Sequence, residues 1–460
     1  MRKFTFFIFA LGISANMVFA GGIITNTNQS ASYIRMPSRN ASLEIDAVYY
    51  NPAGLTRLDE GLHISVNNQF INQTRTITNN LSSLNRNEFT GDVKIPVFPG
   101  VYAAYKSGNL AFSFGVNPAG GGGMAEYIDG LPSIESGISR LVPTLDRFGV
   151  TEYRSDLYFK GSSVYPGGQL GVSYELFGMV SFFGGGRFVM ASNRYEGYIR
   201  DIQVNTPEGW MRPGTYLTEF VVPSLTGLQR TIVLGMASSV NQATADADID
   251  VKQRGYAITP VVGLSIVPGE RFNIGLKYEF PTRLELENET VTDGTGMFPD
   301  GRKSRSDLPA LLSAGVAYQA TPELNVSGSM HYYFDKDADY GRMVNGVPVT
   351  NSDVINSNFF EAAIGLEYTL TNYLRLSAGY LRTQSGVNNS FNTDISHSLS
   401  TNNVGGGARI AVNEVIAVNL GFMMTFYVED SRSFIYESAS VTETYNRDNM
   451  VFALGVDLKF

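Results

Sequence analysis

From Gly61 to the last residue, apolar and polar side chains alternate with a period of two, and this alternation restricts the chain more than any other feature. In 271–280, Phe272, Ile274, Leu276, Tyr278 and Phe280 share one face, while Arg271, Asn273, Gly275, Lys277 and Glu279 share the other. The same split recurs at 359–370, where Glu361 and Glu367 oppose the apolar face, and at 450–460, where Asp457 and Lys459 do. Such segments are strands with one apolar and one wet, charged face. After residue 20 no apolar run approaches the roughly 20 residues that a spanning helix needs.

A soluble sandwich also alternates, so strand and connection lengths must decide. The pattern predicts roughly fourteen strands of about ten residues, long enough to cross a bilayer when tilted. They fall near 61–71, 97–105, 110–117, 164–175, 179–191, 255–267, 271–281, 309–319, 323–334, 359–369, 374–384, 404–412, 415–428 and 450–460. Tight connections such as 106–109, 176–178 and 268–270 alternate with long ones at 118–163, 192–254, 282–308, 335–358 and 429–449. This asymmetry belongs to outer-membrane barrels, whose periplasmic turns are short and whose outer loops are long. Aromatic pairs near strand ends, among them Tyr102 and Tyr105, Tyr332 and Tyr333, and Phe426 and Tyr427, fit interfacial girdles. Phe460 on the apolar face suits a last strand read by the barrel-assembly machinery. The expectation is an all-β fold: a transmembrane antiparallel β-barrel of about fourteen strands over residues 61–460.

The chain before the barrel has two parts. Arg2 and Lys3, then an apolar stretch from Phe4 to Phe19, then Val18-Phe19-Ala20, read as a signal peptide over 1–20 of a protein exported to the outer membrane of a Gram-negative cell. Residues 21–60 are small and polar but carry Tyr33, Ile34, Met36, Val48, Tyr49 and Tyr50 for packing, which fits an N-terminal hatch inside the lumen better than a linker. The segment closes on Asn51-Pro52-Ala53-Gly54, a turn signal just ahead of the first strand.

Composition excludes several functions. The 460 residues contain no cysteine, which removes disulfides, a lipoprotein anchor, thiolate catalysis and thiolate metal sites. A net charge of −9 without a basic stripe argues against nucleic acid as a partner. Ser329 and His331 share a wet face, but no third residue is placed to orient the histidine, so an enzyme is not expected. Asp246, Asp248 and Asp250 alternate as in a calcium loop, yet Val251 stands where glycine is needed and no Glu closes the loop. No cofactor and no metal are expected.

The order of signal peptide, small polar segment, Asn51-Pro52-Ala53-Gly54 and barrel resembles the FadL-type family, the outer-membrane transporters of long-chain fatty acids and hydrocarbons. Leu308-Pro309-Ala310 followed by Leu312 to Tyr318, and Ile364 to Tyr368 with Leu374 to Tyr380, are similar to two of its strand motifs. Asn117-Pro118-Ala119 before Gly120 to Gly123 resembles the glycine-rich exit from its third strand. The resemblance implies a monomeric barrel in outer-membrane lipid that passes a hydrophobic ligand, a long-chain fatty acid or similar molecule, by facilitated diffusion. Asn51, Pro52 and Ala53 would lie in a gating hatch. Ligand would be caught among loops 118–163 and 192–254, pass to a pocket above the hatch, and leave sideways at a kinked third strand.

Gly115, Asn117 and Pro118 are the candidate kink, because proline cannot donate to a ladder; the alternative is that Pro118 merely ends the strand. Arg187 and Lys277, on wet faces, are candidates to hold a ligand carboxylate. The alternative is that they pair with Glu279, Glu361 or Glu367 inside the lumen. Between Met124 and Leu145 apolar residues recur near helical spacing, which predicts a helix over the barrel mouth. A different function stays open as well: a structural or host-contact barrel whose plug seals the lumen.

Overall fold

The structure is a computed structural model that describes residues 26–344, 347–436 and 439–460. The expected signal peptide, 1–20, and the first hatch residues, 21–25, lie outside the described residues.

Fourteen antiparallel strands close into one barrel. They are β1 (Gly61–Asn79), β2 (Glu88–Ser107), β3 (Leu110–Tyr127), β4 (Glu152–Leu176), β5 (Val180–Thr206), β6 (Ala247–Ile266) and β7 (Phe272–Glu279), followed by β8 (Leu311–Gln319), β9 (Leu324–Tyr333), β10 (Phe360–Thr371), β11 (Leu374–Gln384), β12 (Thr401–Ala411), β13 (Ile416–Tyr427) and β14 (Ala439–Lys459). Each pairs with the next, and β1 closes the cylinder on β14 from His63↔Lys459 to Asn79↔Glu443. Closure leaves no edge strand, so backbone polar groups pair within the wall everywhere except along part of the β2–β3 contact.

The alternation sorts as the sequence predicts. Ile364, Leu366, Tyr368 and Leu370 on β10 are exposed on the outer wall, whereas Glu361 is buried inside. Similar outward rows of exposed apolar side chains circle the barrel, as a belt that meets hydrocarbon requires. The named aromatic pairs divide between the two faces. Tyr105 and Phe426 point outward, but Tyr102 and Tyr333 are buried in the lumen and Tyr427 lines its cavity, because residues an odd number of positions apart on a strand lie on opposite faces.

Strands on the long-loop end run beyond their expected limits. β1 continues to Asn79, β2 begins at Glu88, β4 at Glu152, and β5 reaches Thr206. Clear of lipid, the outward face loses its apolar signal while the ladder continues, so hydrophobic alternation underestimates these strands. The helix expected over 124–145 is also shorter than its apolar spacing implies. Met124 and Tyr127 end β3, Gly130 (φ +72°) and Pro132 break the run, and helices form only at Pro132–Ser139 and Leu141–Leu145.

These helices and a longer one, Gly227–Ala243, roof the barrel. Ile134, Ile138, Leu141 and Leu145 share one apolar cluster with Leu217, Val233 and Val240, and with Ile77, Phe89 and Phe159 from the wall.

Candidate functional site

The lumen below the roof is filled by Asn26–Arg57. Its polar sequence makes only short helices, α1 (Ala31–Arg35) and α2 (Ala47–Tyr50), followed by a 3₁₀ turn over Pro52–Arg57. Ser30 caps α1, its hydroxyl accepting from the Tyr33 amide at 3.0 Å. Tyr33 stacks on Tyr50 with ring centroids 5.5 Å apart. The Tyr50 hydroxyl donates to Thr27 O at 2.7 Å and accepts from the Gln29 amide at 2.8 Å, which fixes the first described residues against α2. Too small to fold alone, this segment takes its shape from the barrel around it.

Two charged clusters tie it down. In the first, Glu44 accepts from Arg39 at 2.7 Å and from Arg375 of β11 at 3.0 Å, while Arg35 pairs with Glu367 of β10. Asp46 receives Arg39 as well, at 2.7 Å. Burial disfavours the Glu44 carboxylate, but Arg39, Arg35, Arg409 and Arg375 outweigh it and hold the carboxyl well below the usual range. In the second cluster Arg187 grips Glu279 through both terminal nitrogens, at 2.6 and 3.2 Å. Lys277 lies 2.7 Å from Glu279 and donates to Tyr49 O at 2.7 Å, with its ammonium 4.2 Å from the Tyr49 ring centre.

Both carboxylate candidates are therefore engaged with Glu279 and with α2, and neither lines the cavity described below. Their alternative role, as lumenal ion-pair partners, is the geometry found. The buried Arg187 and Lys277 both hold oxygens of the one Glu279 carboxylate before any ligand arrives.

Asn51-Pro52-Ala53 sits at the short-turn end of the hatch. Asn51 is fully buried, and its side-chain amide donates to Ser42 O at 3.1 Å. Pro52 O accepts from the Ser173 hydroxyl of β4 at 2.6 Å, and Ala53 packs against Phe183 of β5 and Val261 of β6. The motif thus joins the hatch to consecutive strands, with Pro52 starting the 3₁₀ turn that leads into β1.

The wall is broken beside the hatch. β2 and β3 pair from Ser107↔Leu110 to Val101↔Val116, and their next pair is Asp92↔Glu126. Val93–Gly100 and 117–125 have no partner across this seam. Opposite β4, the register of β3 shifts between Pro118 and Gly120 and again between Gly120 and Gly123. Gly121 (φ +103°) and Gly123 (φ +72°) adopt backbone that L side chains rarely take, which lets the strand bulge.

Asn117 and Pro118 are the first unpaired residues of this window. Gly115 lies outside it, still paired with Tyr102 and Gln169. Its missing side chain instead admits Val48, since a Cβ there would stand 3.0 Å from Val48 Cγ1. Sequence reasoning missed the other side of the break. Pro96 and Pro99 on β2 supply no ladder donors, and Pro166 faces Pro118 from β4. Ile95-Pro96-Val97-Phe98-Pro99-Gly100 carried that signal, but the expected strand began at 97, beyond the first proline.

The hatch covers the seam from inside. Gln29 donates to Pro118 O at 2.8 Å and Asn26 to Gly121 O at 3.1 Å, while Tyr102 donates to Gln29 O at 2.8 Å. Above lies a cavity of about 430 Å³, floored by Thr27, Tyr33 and Ile34 and reaching Val93, Ile95 and Gly121–Gly123 at the seam. That volume is in the range of small-molecule sites.

The polar groups set aside on sequence grounds have structural partners. The Ser329 hydroxyl accepts from the Asn40 amide at 3.0 Å, while His331 Nδ1 faces Glu361 at 3.1 Å. Asp246, Asp248 and Asp250 pair with Arg212, Arg200 and Arg194 at 3.0, 2.7 and 3.4 Å.

No family profile and no curated protein matches the sequence. Solved structures do. A Pseudomonas aeruginosa FadL homologue is 13% identical with a TM-score of 0.65, over 96% of this chain and 100% of its own. The Pseudomonas putida toluene transporter TodX is 15% identical with a TM-score of 0.60, over 96% of this chain and 100% of its own. The Ralstonia pickettii toluene transporter TbuX is 15% identical with a TM-score of 0.53, over 91% of this chain and 94% of its own. The fold of this chain is the FadL-type barrel.

Proposed function

We propose that this protein is an outer-membrane channel of the FadL type that moves hydrophobic small molecules inward by passive diffusion. The observation that carries the reading is the cavity above the hatch, which reaches the unpaired β2–β3 seam. An apolar solute gains nothing from a straight polar lumen, because exposing apolar surface to water costs about 25 cal/mol per Å². A side exit into the bilayer avoids that cost. The solute collects under the apolar roof, enters the cavity, and leaves between β2 and β3 once the Asn26–Gln29 segment moves off the seam. The charged clusters and Asn51-Pro52-Ala53 hold the rest of the hatch, so the lumen stays closed to water. Cargo classes consistent with this route are long-chain fatty acids and hydrocarbons, and the carriers of similar fold include toluene transporters.

Uptake of labelled oleate and labelled toluene by cells lacking their own hydrophobe transporters, with and without this chain, tests the reading. Expression should raise uptake of at least one. A correctly assembled barrel that raises neither would favour the alternative, a sealed barrel that acts through its outer loops.

A further inference from the structure

Two arginines on the cavity wall have no carboxylate. Arg75 of β1 and Arg447 of β14 are direct partners across the seam that closes the barrel, and both line the cavity. Like charges directly opposite on an antiparallel pair repel and destabilise it. Among the described residues, the other cationic clusters of this lumen each hold a carboxylate: Arg187 and Lys277 share Glu279, Arg35 and Arg39 share Glu44, and Arg305, also on the cavity wall, holds Asp307 at 2.7 Å. Neither Arg75 nor Arg447 has an ion-pair partner among the described residues. The acidic groups around them are committed elsewhere. Glu361 faces His331, Glu443 receives Arg432 at 3.0 Å and Tyr445 at 2.7 Å, and Asp394 accepts the Ser133 and Ile395 amides.

Their neighbours position the two guanidinium groups without neutralising them. Arg75 Nε donates to Gln73 at 3.0 Å, and its Nη2 lies 3.4 Å from Gly122 O, on the rim of the β2–β3 seam. Arg447 Nε donates to His397 Nε2 at 3.0 Å and its Nη2 to His397 O at 2.6 Å. Since His397 Nδ1 faces Thr393 O at 3.2 Å, the imidazole is neutral and adds no counter-charge. Stability gives no reason to place two cations opposite each other in a half-buried wall. An anion arriving from outside does.

Resting on the channel reading above, we infer that Arg75 and Arg447 form an anion subsite that selects amphiphiles with a carboxylate head group over neutral hydrocarbons of the same length. The planar forks suit a carboxylate. A head group held there leaves its apolar tail in the cavity next to Val93, Ile95 and Gly121–Gly123, directed toward the seam.

Titration of decanoate and of decanol into the purified full chain in a nonionic detergent tests this. The native protein should bind decanoate about tenfold more tightly than decanol, the worth of one charge-assisted hydrogen bond. Arg75→Gln should abolish that preference by weakening decanoate binding far more than decanol binding, and Arg75→Lys should retain part of it. Because Arg447 also anchors the loop that carries His397, Arg447→Gln is read only with heat-modifiability on gels as a folding control. Equal native affinities, or a decanoate preference that survives Arg75→Gln combined with Arg447→Gln, would overturn the subsite while leaving the cavity reading intact. Binding of neither probe would count against the cavity reading itself, and the inference would fall with it.

Discussion

The Gln29 side chain of the hatch donates a hydrogen bond to the carbonyl oxygen of Pro118, 2.8 Å away on a strand 89 positions later. Pro118 stands where β3 loses β2, so its carbonyl faces a missing partner, and the hatch provides the donor that the neighbouring strand does not. A buried carbonyl without a partner costs about 1–3 kcal/mol. Gln29→Ala should therefore loosen the closed seam locally. Hydrogen exchange is expected to speed up in 26–33 and 117–125 while the rest of the barrel keeps its protection; unchanged exchange there would show that this bond does not hold the seam.

Gly122 offers a way to block the seam. Its φ is outside the left-handed region, and a Cβ there would meet only the movable tip of Arg75, at 3.3 Å. Gly122→Leu should assemble normally yet carry cargo at background rates, measured in the uptake assay described above. Normal uptake would place the exit elsewhere.

Glu279 is the common partner of Arg187 and Lys277, all three buried. Glu279→Gln would leave two cations with no compensating charge, and removing one member of a buried ion cluster costs about 3–5 kcal/mol. A clear drop in the urea midpoint of the purified barrel is expected. An unchanged midpoint would mean that water already reaches the cluster.

Asn51→Ala removes the bond to Ser42 O and about 1 kcal/mol of hatch stability. The barrel should remain heat-modifiable on gels while uptake falls. Unchanged uptake with a folded barrel would reduce Asn51 to a structural turn residue.

Glu44 makes the hatch sensitive to acid. Its carboxyl is held below its unfolded value, so the unfolded hatch binds the proton more readily. The contribution is complete above about pH 4.3, the unfolded value, and is lost as the pH falls from there toward the depressed folded value. After correction for intrinsic rates, hatch amides should exchange faster at pH 3 than at pH 6, and Glu44→Gln should flatten that difference. Equal dependence in both proteins would assign the effect to other groups.

The barrel was legible because lipid outside and a wet lumen inside force opposite chemistry onto successive residues, so a register of Phe272, Ile274 and Leu276 against Lys277 and Glu279 is already a statement about two solvents. Where the strands leave the membrane, as in 72–79 and 88–96, that contrast disappears and the sequence stops reporting the ladder. The turn at Asn51-Pro52 and the broken strand at Asn117-Pro118 were visible through proline, which acts locally. Tertiary structure decided the rest: that Pro96, Pro99 and Pro118 border one seam, that Asn26 and Gln29 close it, that Arg187 and Lys277 are taken by Glu279, and that Arg75 meets Arg447 without a counter-ion. Each of these depends on closure of the cylinder and on a hatch threaded through it, which bring together residues far apart in the sequence; an alternating pattern fixes which face a side chain occupies but not which partner it meets across the lumen.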